Sequence, residues 1–230
     1  MLTIHITRHG QPGQVSEDQS GDPEYSEDDP GLSSLGMKQA EMLGQRLSAE
    51  NFRGTIYSSP YRRTFETASI FAAVTGSDLF PEPLLQEHLL NPGRPDFRSL
   101  TLDEIRKTYA NVPATAELEC PWLVEGPEDL GATVNRLERF VETMLQQYSE
   151  GEFLFVGHGA TVISGINLFI PKADRDAYLE DLPHYWNCCL STYTVNRDWT
   201  TGVGQVGDTS HMPDELVTSN GHRKLDRPTS

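Results

Sequence analysis

The chain has 230 residues, with 18 Lys and Arg against 34 Asp and Glu, a formal charge of −16, and 37% hydrophobic residues. That length can bury roughly 70% of the surface of the unfolded chain, and the apolar fraction exceeds that of a disordered one. The acidic balance argues against nucleic acid or an anionic membrane surface as partner, and no apolar run reaches the ~18 residues of a membrane-spanning helix.

Leu2–Thr7 alternates apolar and polar residues, which predicts a first strand ending at Arg8-His9-Gly10. No positive region precedes an apolar stretch there, so a secretory signal is not expected. Residues 11–31 hold Glu17, Asp18, Asp22, Glu24, Glu27, Asp28 and Asp29 but no Lys or Arg, and read as a solvated acidic loop. Ser33 or Ser34 caps a helix to about Glu50, with Leu35, Ala40, Leu43 and Leu47 as its apolar stripe. Thr55–Ser58 reads as a second strand. Pro60 then suits the first turn of a second helix, buried through Phe65, Ala68, Ile70 and Phe71. Residues 79–87 read as extended up to Glu87.

Residues 88–128 are proline-rich, with a short helical stretch near Leu102–Tyr109, and read as an inserted cap over one end of the sheet. An amphipathic helix follows over about Leu130–Tyr148. Phe153–Val156 reads as a buried strand ending at Gly157-His158-Gly159, with a helix beginning near Thr161. Leu190–Asn196 predicts a late strand, paired as a hairpin with residues 201–206. Residues 213–230 are polar and read as a flexible tail. Strands alternate with helices, so the expected class is α/β: a three-layer α/β/α sandwich on a mostly parallel sheet, one domain over residues 1–230.

Ligands in open α/β sheets sit at the carboxyl ends of strands. Arg8-His9-Gly10 and Gly157-His158-Gly159 follow predicted strands, and Arg62 and Arg63 open the helix after another. If these elements converge, they suit a phosphoryl group. Arg offers a planar fork for phosphate oxygens, and a neutral imidazole can attack phosphorus or take up a proton near pH 7. Taken singly, His9 could be structural and Arg63 an exposed helix charge; the combination carries the signal.

Thr7-Arg8-His9-Gly10-Gln11 resembles the signature of the histidine phosphatase superfamily, which includes the cofactor-dependent phosphoglycerate mutases. Leu32–Ala40, Ser58–Ala68, Leu85-Gln86-Glu87, Phe155–Gly159 and Gly207–Met212 resemble further segments of that family, in order. The resemblance implies that His9 attacks phosphorus and that Arg8, Arg63 and His158 hold the phosphoryl oxygens, with Gly10 and Gln11 beside them. It implies Glu87 as the acid that protonates the leaving oxygen and then activates water. No metal or cofactor is implied. Pro12 and Gly159 stand where the other large branch carries Arg and Asp, which points to the phosphoglycerate-mutase-like branch. Gln11–Val15 departs from the mutase segment, so a phosphomonoester phosphatase is expected. The alternatives are a mutase-type phosphotransferase or a non-catalytic phospho-ligand binding protein.

Residues 202–207 form a literal GxGxxG, but the 23 residues after them are too few for a dinucleotide-binding unit. Cys188 and Cys189 are expected on a strand with side chains on opposite faces. Together with Cys120 they make neither a disulfide framework nor a zinc spacing, which suits a reducing cytoplasm. The expected substrate is a small phosphorylated molecule. Arg94, Arg98, Arg106 and Lys107 in the cap suit a second anionic group, and Phe97, Tyr109 and Trp122 an aromatic one. Oligomeric state is open, a dimer included.

Overall fold

Along Leu2–Arg8 (β1) the side chains of Leu2, Ile4 and Ile6 are fully buried and those of Thr3 and His5 are half-buried, the alternation of a strand covered on both faces. The computed structural model describes residues 1–13, 29–88, 100–119, 122, 127–180, 185–219 and 222–223. The other elements are α1 (Ser34–Ala49), β2 (Thr55–Ser58), α2 (Arg62–Thr75), β3 (Leu79–Pro81), α3 (Leu102–Thr108), α4 (Leu130–Gln147), β4 (Gly151–Gly157), α5 (Gly159–Phe169), α6 (Arg175–Glu180), β5 (Leu190–Val195), β6 (Thr201–Asp208), β7 (Thr218–Ser219) and β8 (His222–Arg223). This is the expected α/β sandwich.

The main sheet has six strands in the order β3-β2-β4-β1-β5-β6. β1 is parallel to β4, and β2 is parallel to β4 and β3. Only β5 runs against its neighbours, pairing with β1 and, as the predicted hairpin, with β6. The chain passes from β1 over β4 to β2 and β3, then returns to β4. Right-handed crossovers place α1 and α2 on one face and α4 and α5 on the other, and the helices pack in those two pairs. The connections leaving the adjacent strands β1 and β4 therefore diverge to opposite faces. Their carboxyl ends flank the crevice where such sheets bind ligands. Among the described residues no helix is long and apolar enough to cross a membrane.

Sequence and structure differ in four places. Pro60 precedes α2 instead of entering its first turn, because Tyr61 in extended backbone takes the capping position. Residues 79–87 are a three-residue strand and then a single 3-10 turn at Pro83–Leu85, because Glu82 caps that turn by accepting from Leu84 N–H. Cys188 and Cys189 precede β5 instead of lying on it; Cys188 has a left-handed φ of 53° and both thiols are buried. Of the expected tail, Val217, Thr218 and Ser219 are buried, and Asn187 N–H donates to Thr218 O. Most of the acidic loop, much of the cap with Arg94, Phe97, Arg98 and Cys120, and residues 224–230 lie outside the described residues.

Candidate active site

β1 ends by delivering His9 into a backbone clamp. His9 N–H donates to Gly157 O at 2.9 Å, tying the ends of β1 and β4 together. The Asn187 side chain donates to His9 O at 2.8 Å, and Gly10 N–H donates to Thr67 Oγ1 on α2 at 3.0 Å. The close approach of α1 demands glycine here. A Cβ on Gly10 would lie 2.4 Å from Gly36 O, and one on Gly36 would lie 2.1 Å from Gln11 O. Gln11 is thereby held against α1, with its N–H donating to Gln39 Oε1 at 2.8 Å.

The His9 ring is buried, and Nδ1 lies 2.7 Å from Gly10 O. A carbonyl can only accept, so Nδ1 carries the proton and Nε2 keeps its lone pair. That lone pair faces Arg63, whose Nε donates to His9 Nε2 at 3.2 Å. Burial first, then the charges of Arg63 and Arg8, hold the His9 pKa well below 6.5. The imidazole is therefore neutral at pH 7.

His158 follows β4 and caps α5, with its N–H donating to Thr161 Oγ1 at 3.0 Å. Its ring is fully buried and meets the His9 ring edge-on, with centroids 5.3 Å apart. Nε2 lies 3.0 Å from Ser59 Oγ, and Nδ1 lies 3.3 Å from Arg63 Nη2. Burial, then Arg63, pushes its pKa well down as well. Glu87 Oε2 is 3.5 Å from His158 Nδ1, a distance that suggests an ion pair. A neutral ring already accepting from Arg63 makes that contact a polar approach instead.

Arg63 thus bridges both imidazoles from the first turn of α2. Its guanidinium carbon stands 4.6 Å from the centre of the Tyr61 ring, and Nη1 is 3.7 Å from the buried carboxylate of Asp29. Asp29 also accepts from Arg62 N–H through both oxygens, at 3.0 and 3.1 Å, so it caps α2 from a distant segment. Arg62 meets Asp29 through its backbone N–H, and its charge also acts on that carboxyl. Arg8 is buried beneath the site, with Nη1 donating to Tyr185 O and, at 2.7 Å, to Ser219 Oγ. Glu87 is the accessible member, its side chain 33% exposed, with Oε1 accepting from His88 N–H at 2.9 Å.

His9, His158, Arg63 and Glu87 thus form one chain of contacts, with Arg8 close enough that its charge reaches both imidazoles. A buried neutral nitrogen whose lone pair is unprotonated, two guanidinium groups and an accessible carboxyl are the parts of a phosphoryl-transfer site. Sequence reasoning missed Ser59, Thr67, Asn187, Asp29 and Ser219. Ser59 and Thr67 lie inside the Ser58–Ala68 stretch already singled out; nothing local marks the others. Among the described residues no cluster of three His, Cys, Asp or Glu side chains could hold a metal ion.

The family model for the histidine phosphatase superfamily, branch 1, matches residues 4–203. The chain is 33% identical to a probable phosphoglycerate mutase of Photorhabdus laumondii over 92% of its own length and 95% of that protein. It is 31% identical to phosphoserine phosphatase 1 of Hydrogenobacter thermophilus over 56% of its own length, an alignment that spans only 60% of that protein. The fold matches the phosphoserine phosphatase of Entamoeba histolytica, solved with 3-phosphoglyceric acid. The TM-score is 0.58 and the identity 16%, over 92% of this chain and 99% of that one.

Proposed function

The chain belongs to the histidine phosphatase superfamily, and within it we propose a phosphatase that hydrolyses a small phosphomonoester through a phosphohistidine. The observation that carries this is His9: neutral, with Nδ1 committed to Gly10 O and the Nε2 lone pair turned to Arg63. In the first step the Nε2 lone pair attacks phosphorus and the bond to the leaving oxygen breaks. Glu87, in its acid form, gives that oxygen a proton. Arg63 and Arg8 neutralise the spreading charge, and His158 adds a hydrogen-bonding nitrogen. In the second step water attacks phosphorus, Glu87 takes the water proton, the N–P bond breaks and phosphate leaves.

A phosphoglycerate mutase reaction is the second reading, favoured by the relative aligned over 92% of the chain. Hydrolysis ranks first because Gln11–Val15 departs from the mutase segment. Pro12 there bridges to Leu32, and Gly13 N–H donates to Gly31 O, which tie the start of that segment down. The relatives' names bring phosphoserine and 3-phosphoglycerate forward as first substrates to try. The free buried thiols suit a reducing cytoplasm.

The test is a rapid acid-free quench of the enzyme turning over an aryl phosphate. Acid-labile, base-stable phosphate on the wild type, absent in His9→Ala together with a loss of activity of several orders of magnitude, is expected. Retained turnover in His9→Ala overturns the proposal. Isomerisation of phosphoglycerate faster than hydrolysis of the best monoester, with 2,3-bisphosphoglycerate present, establishes the second reading.

A further inference from the structure

Glu87 follows a single 3-10 turn and precedes the cap, with no strand or helix of its own to fix it. Arg136, in the second turn of α4, is buried, and its four side-chain hydrogen bonds divide between the chain just before Glu87 and the carboxylate of Glu128. Nη1 donates to Leu84 O at 2.7 Å and to Gln86 O at 3.3 Å. Nε and Nη2 donate to the two carboxylate oxygens of Glu128, at 2.7 and 3.0 Å. The Glu128 carbonyl accepts from the ring of His88. A closed path therefore runs from the residue before Glu87, through Arg136 and Glu128, to the residue after it.

Both charged side chains of this pair are almost wholly buried, 7% and 5% exposed. Removing two ions from water is expensive, so a buried pair is weak evidence of stabilisation. Its geometry has a clearer consequence: a planar fork fixes two carbonyls and a carboxylate at once, which an ammonium group cannot reproduce.

We propose that Arg136, acting through Glu128 and the Leu84 and Gln86 carbonyls, is a positioning residue that holds Glu87 at the leaving oxygen. Arg136 touches no reacting atom. It holds the backbone before the acid directly and the His88 side chain after it through Glu128, while leaving the carboxyl accessible, and it gives the His88 ring the place of a strut instead of a second proton donor.

The proposal rests on Glu87 acting as the acid, and the test separates the two. Glu87→Gln, Arg136→Lys, Glu128→Gln and the double variant Glu87→Gln/Arg136→Lys are each assayed on an alkyl phosphate and on p-nitrophenyl phosphate. Circular dichroism and thermal melts follow the folding of each. In kcat/KM, which reports the first step and not the later attack of water, Glu87→Gln should lose roughly 100-fold or more on the alkyl ester and little on the nitrophenyl ester, whose leaving group needs no proton. Arg136→Lys and Glu128→Gln should show the same selectivity at roughly 10-fold in kcat/KM. The double variant should fall no further than Glu87→Gln, because two residues that act as a unit are not additive. Equal losses on both esters in Arg136→Lys, or an additive double variant, overturn the positioning role while leaving the acid intact. Equal losses on both esters in Glu87→Gln overturn the acid assignment itself. Where Arg136→Lys fails to fold, Glu128→Gln carries the same comparison.

Discussion

Arg63 Nε donates to Nε2 of His9 at 3.2 Å, and the Nη2 of the same guanidinium lies 3.3 Å from His158 Nδ1. One planar group thus contacts the two imidazoles that follow β1 and β4, and in the proposed reaction it turns its donors onto the phosphoryl group. A lysine ammonium is a point charge and cannot span both rings. Arg63→Lys should therefore lower kcat/KM by about 100- to 1000-fold, the usual loss for one donor aimed at developing charge. Steady-state kinetics on an aryl phosphate check this. A loss under tenfold means that charge alone suffices.

The contact between Gly36 and Gln11 is equally specific. Gly36→Ala would drive a methyl group to 2.1 Å from Gln11 O, which is backbone and cannot swing away. The strand end carrying His9 and the start of α1 must then separate. The expected loss is about 3 kcal/mol, with the melting temperature lower by roughly 6–12 °C, and activity reduced besides. Gly13→Ala is the control: its added carbon would meet nothing closer than 3.7 Å, so its melt should move by about 2 °C or less. Equal shifts in the two variants would show that the close approach of Gln11 to Gly36 is not the source of the loss.

Most of the candidate cluster was legible because its residues stand at strand ends. His9 and His158 each follow a short apolar run, and Arg63 stands at the start of a helix whose stripe was visible in Phe65, Ala68 and Phe71. What supports them was not legible, because it arrives from far along the chain. Asn187 reaches His9 across 178 positions, and Ser219 reaches Arg8 across 211. Ser219 sits in a polar stretch whose composition reads as a tail. Its order comes from partners outside the stretch, Arg8 and the segment around Asn187, which no periodicity records. Pro60 misled in a different way. Proline suits the first turn of a helix, but Tyr61 stays extended while Asp29 supplies the missing cap from a segment more than thirty residues away. The cysteines misled because the turn at Cys188 takes a left-handed φ that composition does not signal at a non-glycine residue.

Metal removal should leave the enzyme active. Arg8 and Arg63 bring two fixed positive charges to the site, the part that divalent cations play in many phosphoryl-transfer enzymes. After dialysis against EDTA, phosphate release should stay within about twofold of the untreated rate. Loss of activity, restored by Mg²⁺ or Zn²⁺, would show that the arginines do not suffice.

Asp29 gives the last prediction, a dependence of stability on pH with an unusual sign. Burial raises its pKa from 3.8 to about 6, outweighing the Arg62 N–H bonds and the charges of Arg63 and Arg62 that lower it. A carboxyl with a raised folded pKa binds its proton more tightly in the native state. Its contribution to stability is therefore present below about pH 4 and is lost as the pH rises to about 6. Glu82, raised to about 7, and Glu66, also raised, act with the same sign. His9 and His158 act oppositely: their pKa values are depressed, so stability falls as the pH drops below 6.5, where the unfolded chain takes up protons. Asp29→Asn keeps an oxygen for the Arg62 N–H and removes the ionisation. The variant should match the wild type near pH 4 and exceed it above pH 6, by on the order of 2 kcal/mol. Freed of the carboxylate, Arg63 should also bind phosphate more tightly, lowering the Ki of inorganic phosphate at pH 7. Urea unfolding of both proteins at pH 4, 5, 6 and 7 measures the first effect. A constant difference across that range would show that Asp29 does not titrate there. A variant less stable at pH 7 would show that the ion pair with Arg63 outweighs the burial of the charge.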